Sequence, residues 1–221
     1  MVLALIKKIY RKRMSMFILT DPQYNVDYKE GYIFFSYVTD NLISSGIALL
    51  QSGEMTSGLP ISHCGIICGP GRCLESVIPA TTESDFIKKY VEDPHTIVFL
   101  RKPKDWTPEM AQKIVAEGRR RIGEKYSYLG IIGFMFRTVW SWGFKLFPSL
   151  RYKDNLLNTN STTYCSEYVS ICMKTGMGNV GCLSYNLENI SPSTLFENKE
   201  IWADWNANIV QEKLAKGKLV V

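Results

Sequence analysis

The chain has 221 residues, 46% of them hydrophobic, and a formal net charge of +5. That length and composition suit one folded domain, or one domain with additions, and exclude a disordered or low-complexity chain. The modest positive charge permits an anionic partner without requiring one, and no specific nucleic acid is expected.

The chain opens with an apolar run, Met1 to Ile6, followed by the basic run Lys7-Lys8-Ile9-Tyr10-Arg11-Lys12-Arg13. A secretory signal places charge before the apolar run, so this order predicts no signal peptide. Residues 1–27 read instead as a basic amphipathic extension able to lie on an anionic membrane surface or a protein partner. An ordinary solvated first helix is the plainer reading. The expected location is cytoplasmic or virion-associated.

Residues 31–38 alternate as a strand, and Asn41 to Gln51 carries a helical stripe of Leu and Ile. Residues 62–68 and 73–78 read as two strands around Gly69-Pro70-Gly71-Arg72, where Pro then Gly signals a type II turn. Thr82 to Val91 reads as a short helix, and His95 to Leu100 as a strand. Thr107-Pro108-Glu109 is a helix start, with a capping hydroxyl, Pro at the first helical position and an acid near the positive end. Arg119, Arg120 and Arg121 suit that helix's negative end.

Residues 126–150 are apolar and aromatic, with Trp140, Trp142, Phe144 and Phe147, but Arg137 and Lys145 interrupt them. This segment is too broken for a membrane span and reads as core packing, a lid, or a surface for a membrane or partner. Residues 165–175 read as a helix stopped by Gly176, with Thr162 or Thr163 as its cap. Residues 206–221 read as a C-terminal tail.

The chemistry-bearing residues are few. The chain has two histidines and six cysteines, none in a C-x-x-C pair. Most of the cysteines sit in apolar runs, where a free thiol behaves as a small hydrophobe, and a reducing compartment is the simpler expectation. His63, Cys64, Cys68 and Cys73 invite a zinc site, but the spacing is wrong for common knuckles. Strand alternation would also send His63 and Cys64 to opposite faces, so no metal and no cofactor is expected.

A thiol nucleophile needs an imidazole to take its proton, and its thiolate gains from a helix N-terminus. His63 stands in an apolar strand with one face free. Cys165 opens a helix about a hundred residues later. His95 starts a strand after Asp93-Pro94, where a solvated edge is expected. Cys165 could equally begin the core stripe Cys165, Val169, Cys172, Gly176. A lone strand histidine is usually structural.

Taken together, Ser62-His63-Cys64-Gly65-Ile66-Ile67, then Cys73-Leu74-Glu75-Ser76-Val77, then Tyr164-Cys165-Ser166-Glu167-Tyr168 resemble the circularly permuted NlpC-type papain-like cysteine hydrolases of the YiiX/YebB-like branch. In that branch His precedes Cys. Glu30-Gly31-Tyr32-Ile33-Phe34-Phe35 is similar to its first strand, with Tyr32 where an Asp is usual. Tyr126-Ser127-Tyr128 resembles its Y-D-Y element, and Ser191-Pro192-Ser193-Thr194-Leu195 its closing turn.

The resemblance implies an α+β, circularly permuted papain-like (NlpC-type) fold, a small antiparallel sheet packed on helices, over residues 28–205. It implies Cys165 as nucleophile, His63 as base and Glu75 as the group that orients the imidazole. The substrates implied are peptides, peptidoglycan-type amides or acyl lipids, cleaved through a thioester, with acyl transfer as a variant.

Geometry tests Glu75. An even-numbered hairpin loop pairs Cys68 with Cys73 and turns Glu75 to the wrong face. An odd loop or a bulge pairs Gly65 with Glu75, diagonal to His63. The plain alternative is a solvated strand-edge carboxylate. The oxyanion hole is expected to use the Cys165 backbone N–H, with Tyr126, Tyr128 or Tyr164 as helper. A second function class stays open: a non-catalytic structural or binding protein on this scaffold, such as a virion- or envelope-associated component.

Overall fold

The computed structural model describes residues 17–19, 21–39, 41–51, 56–127 and 162–209. The basic run of residues 7–13 and the aromatic segment from residue 128 to 150, with Trp140, Trp142, Phe144 and Phe147, lie outside the described residues.

Among the described residues the chain is α+β. The strands are β1 (Phe17–Leu19), β2 (Ile33–Val38), β3 (His63–Gly69), β4 (Arg72–Ser76), β5 (Thr81–Asp85), β6 (Thr96–Pro103) and β9 (Trp202–Ile209), in the order β1-β9-β6-β2-β3-β4-β5. All neighbours are antiparallel except β1 and β9. A separate pair, β7 (Lys125–Tyr126) and β8 (Thr162–Thr163), is parallel. The helices are α1 (Leu42–Gln51), α2 (Pro108–Arg120), α3 (Cys165–Met177) and α4 (Pro192–Glu197). The sheet therefore takes in part of the N-terminal segment through β1, and β9 runs through residue 205 to Ile209.

Period-two alternation divides the core between the two sheet faces. On one, Ile33, Phe35, Cys64, Ile66 and Leu74 pack under Ile114 and Val115 of α2 and Tyr168, Val169 and Cys172 of α3. On the other, Phe34, Ile67, Cys73, Val98 and Leu100 pack with Phe86 and Tyr90. Helix α2 starts as its sequence dictates: Thr107 caps it by accepting from the Met110 N–H at 3.2 Å, with Pro108 in the first turn.

Three local expectations are corrected. Thr82 to Val91 is not one helix. Residues 81–85 pair with β4 as β5, and only Ile87–Val91 coils, as one wide π-helical turn. Gly176 does not stop α3. A Cβ there would lie 2.7 Å from Ile114 Cγ1, so this glycine lets α2 approach, and Gly178 at φ +78° ends the helix. Neither Thr162 nor Thr163 caps α3. Both are in β8, and Tyr164 holds the cap position, where its side chain makes no capping bond.

Candidate functional site

The hairpin β3–β4 settles the register. Ile66 faces Leu74 and Ile67 faces Cys73, but Gly69 faces Arg72, so Cys68 is an extra residue bulged out of the ladder. One step further along the regular part sets Gly65 beside Glu75, with His63 diagonal on the same face. His63 Nε2 meets Glu75 Oε2 at 3.0 Å. Glu75 is fully buried and lies on a strand paired on both sides, which rules out the solvated-edge alternative.

Gly65 is needed here. A Cβ on it would come within 2.5 Å of the Phe34 ring and 2.8 Å of the Leu74 carbonyl. Phe34 fills that space, 6.1 Å from the His63 ring and 4.7 Å from the Tyr90 ring, centroid to centroid. The imidazole is thus walled in by packing.

Cys165 is the first residue of α3, 5% exposed, and the start of that helix meets the start of β3. Its thiol lies close enough to the His63 ring and to Cys64 for each to act on its ionisation. Glu75 occupies Nε2 of the imidazole, which leaves Nδ1 for the thiol. The neck of the helix is tied down from below: the Thr163 carbonyl accepts from Ser76 Oγ at 2.9 Å and from the Ser127 N–H at 3.1 Å. Ser166 Oγ donates to the Ile190 carbonyl at 2.7 Å.

The electrostatics separate this thiol from the others. Contact with Cys64 and the His63 imidazolium holds the Cys165 thiol well below its ordinary range, against the opposing pull of burial. Burial lowers the His63 pKa, but hydrogen bonds to Cys165 and Glu75 outweigh it and lift it from 6.5 to about 9. Burial pushes every other thiol up: Cys68 to about 11, Cys182 to about 12, and Cys64, Cys73 and Cys172 further still. Burial would also raise Glu75, yet His63 and Lys89 together drive its pKa far below the carboxylate range.

Two residues beside Glu75 were not singled out by sequence reasoning. Lys89 Nζ donates to Glu75 Oε1 at 2.6 Å, and the Tyr90 hydroxyl donates to Glu75 Oε2. Assigning residues 82–91 to a helix hid them. Residues 81–85, Thr81-Thr82-Glu83-Ser84-Asp85, are all polar and carry no apolar alternation, so nothing in their pattern marks the third strand that carries the next turn past Glu75.

His95 does not join the site. It precedes β6, which is separated from β3 by β2 in the sheet. Tyr164 is turned away from an oxyanion role, since its hydroxyl donates to the Glu188 carbonyl. Tyr126 lies in β7, and Tyr128 is outside the described residues. The residues considered for zinc are split: Cys64 and Cys68 face the α2/α3 core, whereas Cys73 lies in the opposite one and His63 is committed to Glu75. Among the described residues, no group of three or more His, Cys, Asp or Glu side chains is arranged to hold a metal ion. Likewise, no helix among them is long and apolar enough to cross a membrane.

No protein-family model matches the chain, and no curated protein matches it. Among solved structures it is similar to the crystal structure of YiiX from Escherichia coli O157:H7, described as a metalloprotein of family DUF1105. The TM-score is 0.50 with 16% sequence identity, over 83% of this chain and 97% of that one. The fold is YiiX-like.

Proposed function

We propose that this chain is a cysteine hydrolase on a permuted papain-like (NlpC-type) scaffold, cleaving an amide or ester through a thioester. The observation that carries the reading is one contiguous relay: the Cys165 thiol at a helix start, the His63 ring against it, and Glu75 bound to the far ring nitrogen at 3.0 Å.

In this reading the resting pair is thiolate and imidazolium. The thiolate attacks the substrate carbonyl. The Cys165 backbone N–H, at the start of α3, stabilises the oxyanion. His63 gives its proton to the leaving amine or alcohol, then takes one from the water that opens the thioester. Glu75 keeps the imidazole facing the thiol throughout.

The YiiX neighbour is described as a metalloprotein. Among the described residues here, no group of three or more His, Cys, Asp or Glu side chains could hold a metal ion. Peptides, peptidoglycan-type amides and acyl lipids are the proposed substrate classes. A panel of short peptides, muropeptides and acyl esters tests the reading. Turnover is expected for at least one class and is expected to vanish in Cys165→Ala and His63→Ala. Turnover retained in Cys165→Ala would refute it. No turnover by the wild type, with Cys165 no more reactive than the other thiols, would leave the binding-protein alternative standing.

A further inference from the structure

The Glu75 carboxylate is fully buried and gathers three donors from three directions. His63 Nε2 and the Tyr90 hydroxyl both bind Oε2, while Lys89 Nζ binds Oε1. Tyr90 and Lys89 are consecutive residues of the π-helical turn Ile87–Val91, closed by the Glu92 N–H to the Ile87 carbonyl at 2.9 Å. Such turns are uncommon and often mark functional sites. The Tyr90 ring also lies nearly parallel to the imidazole, at 11° and 6.2 Å between centroids. Phe34 and Phe86 hold that ring in place. Lys89 Nζ sits 5.2 Å from the same ring, and its side chain is 43% exposed.

A carboxylate that merely needed a partner would have one in His63. Two further donors do something else. They fix both oxygens, so the carboxylate cannot swing away from the ring, and they draw off part of its negative charge. We propose that Lys89 and Tyr90 are positioning residues of the His63–Glu75 pair: they lock the carboxylate and imidazole in one orientation and, by sharing the carboxylate's charge, limit how firmly Glu75 holds the imidazole proton. The balance matters because His63 must give up its proton to a leaving group and then accept one from water, and too strong a grip would stall the first step. The inference rests on the hydrolase reading of Cys165 and His63.

The groups facing His63 are Glu75 from β4, Tyr90 from the π-helical turn with Lys89 behind it, Cys165 from α3 and Cys64 beside it on β3. Removing either Lys89 or the Tyr90 hydroxyl leaves more of the Glu75 charge on the imidazolium. The His63 titration should then move up. A purely structural role predicts the opposite, since a loosened site returns the imidazole toward its ordinary pKa.

The test is an NMR titration of His63 in the full chain, which has two histidines to assign. In Lys89→Met and Tyr90→Phe the His63 midpoint is expected to rise by about half a unit to one unit. Lys89 is partly exposed, so Lys89→Met keeps the test valid even if Tyr90→Phe folds poorly. Midpoints equal to wild type, or lowered, overturn the proposal while leaving the hydrolase reading intact. If wild-type His63 itself titrates near 6.5 and Cys165 is inert to iodoacetamide, the hydrolase reading fails and this inference with it.

Discussion

Glu75 and Glu117 each gather several basic or donor side chains, and they do so by different means. Glu117 is served from its own helix and the turn that follows: Arg120 at i+3 and Arg121 at i+4, both at 2.7 Å, with Arg121 also reaching Glu124. Hydrogen bonds from Arg120, then Arg121, outweigh burial and hold Glu117 down to about 2. Glu75 takes its partners from β3 and the π-helical turn, with α3 one contact further on, and has no exposed surface. Helical spacing assembles the first cluster automatically. The second exists only when the sheet, the bulge at Cys68 and the start of α3 are all in place. A cluster that costs this much ordering and desolvation is expected to do chemistry, whereas the first is a part-buried cluster that helical spacing supplies, with Arg120 exposed.

The comparison breaks most visibly at Cys165. Cys165→Ala is expected to lower turnover at least about a thousandfold. It is expected to cost only ~1–2 kcal/mol of stability, the price of a small cavity. Activity assay and denaturant unfolding on the same preparation check both halves, and loss of cooperative unfolding would make Cys165 structural.

Glu75→Gln comes next. It leaves the Lys89 ammonium and the imidazolium facing a neutral amide, so a loss of ~3–5 kcal/mol is expected. Glu117→Gln, by contrast, should cost less than about 1 kcal/mol, because its arginines find water. Equal losses in urea unfolding would erase the distinction.

A subtler contrast lies in pH dependence. A His63 pKa raised from 6.5 to about 9 contributes stability that is full below 6.5 and is lost as pH rises through 9. A depressed Cys165 contributes stability that is present above its ordinary 9 and is lost as pH falls. Between about 6.5 and 9 the unfolded chain carries the proton on sulphur and the native chain carries it on the imidazole, so the two slopes offset. Wild-type stability should therefore be nearly flat across that window. In Cys165→Ala the thiolate slope is gone and so is the largest contribution raising His63, so any fall in stability as pH rises comes from the lift by Glu75 alone and should end below 9. Glu117 gives the ordinary carboxylate pattern, with stability lost as pH drops from 4.5 toward 2. Thermal midpoints across pH for both chains would show or deny the flat window.

These two clusters also mark what a sequence discloses. The Thr107-Pro108 start reads directly, since its partners lie within one turn; Arg119, Arg120 and Arg121 read as suiting the helix's negative end, not as partners of Glu117. His63 and Cys165 are singled out by the order of motifs that resembles the permuted branch; taken alone, each has a plain structural reading, as a strand histidine and as the start of a core stripe. Glu75 was left undecided, because it depends on whether one residue bulges. Cys68 does, and that flips the face of everything after it. Lys89 and Tyr90 were invisible for a related reason: a polar strand, β5, looked like the front of a helix. Alternation puts Cys64 on the face opposite His63, and nothing in the sequence tells that the start of α3 would lie beside it, since alternation along a strand does not tell where a neighbouring helix will begin.

The central claim is that one thiol of six is ionised at neutral pH by its neighbours. Alkylation with iodoacetamide across pH, read peptide by peptide by mass spectrometry, measures this without knowing the substrate. The account expects Cys165 to label at pH 6–7 while Cys64, Cys68, Cys73, Cys172 and Cys182 stay unmodified in the folded chain, and expects His63→Ala to abolish that selectivity. A Cys165 that labels only above pH 8.5, in step with an ordinary thiol, would contradict it.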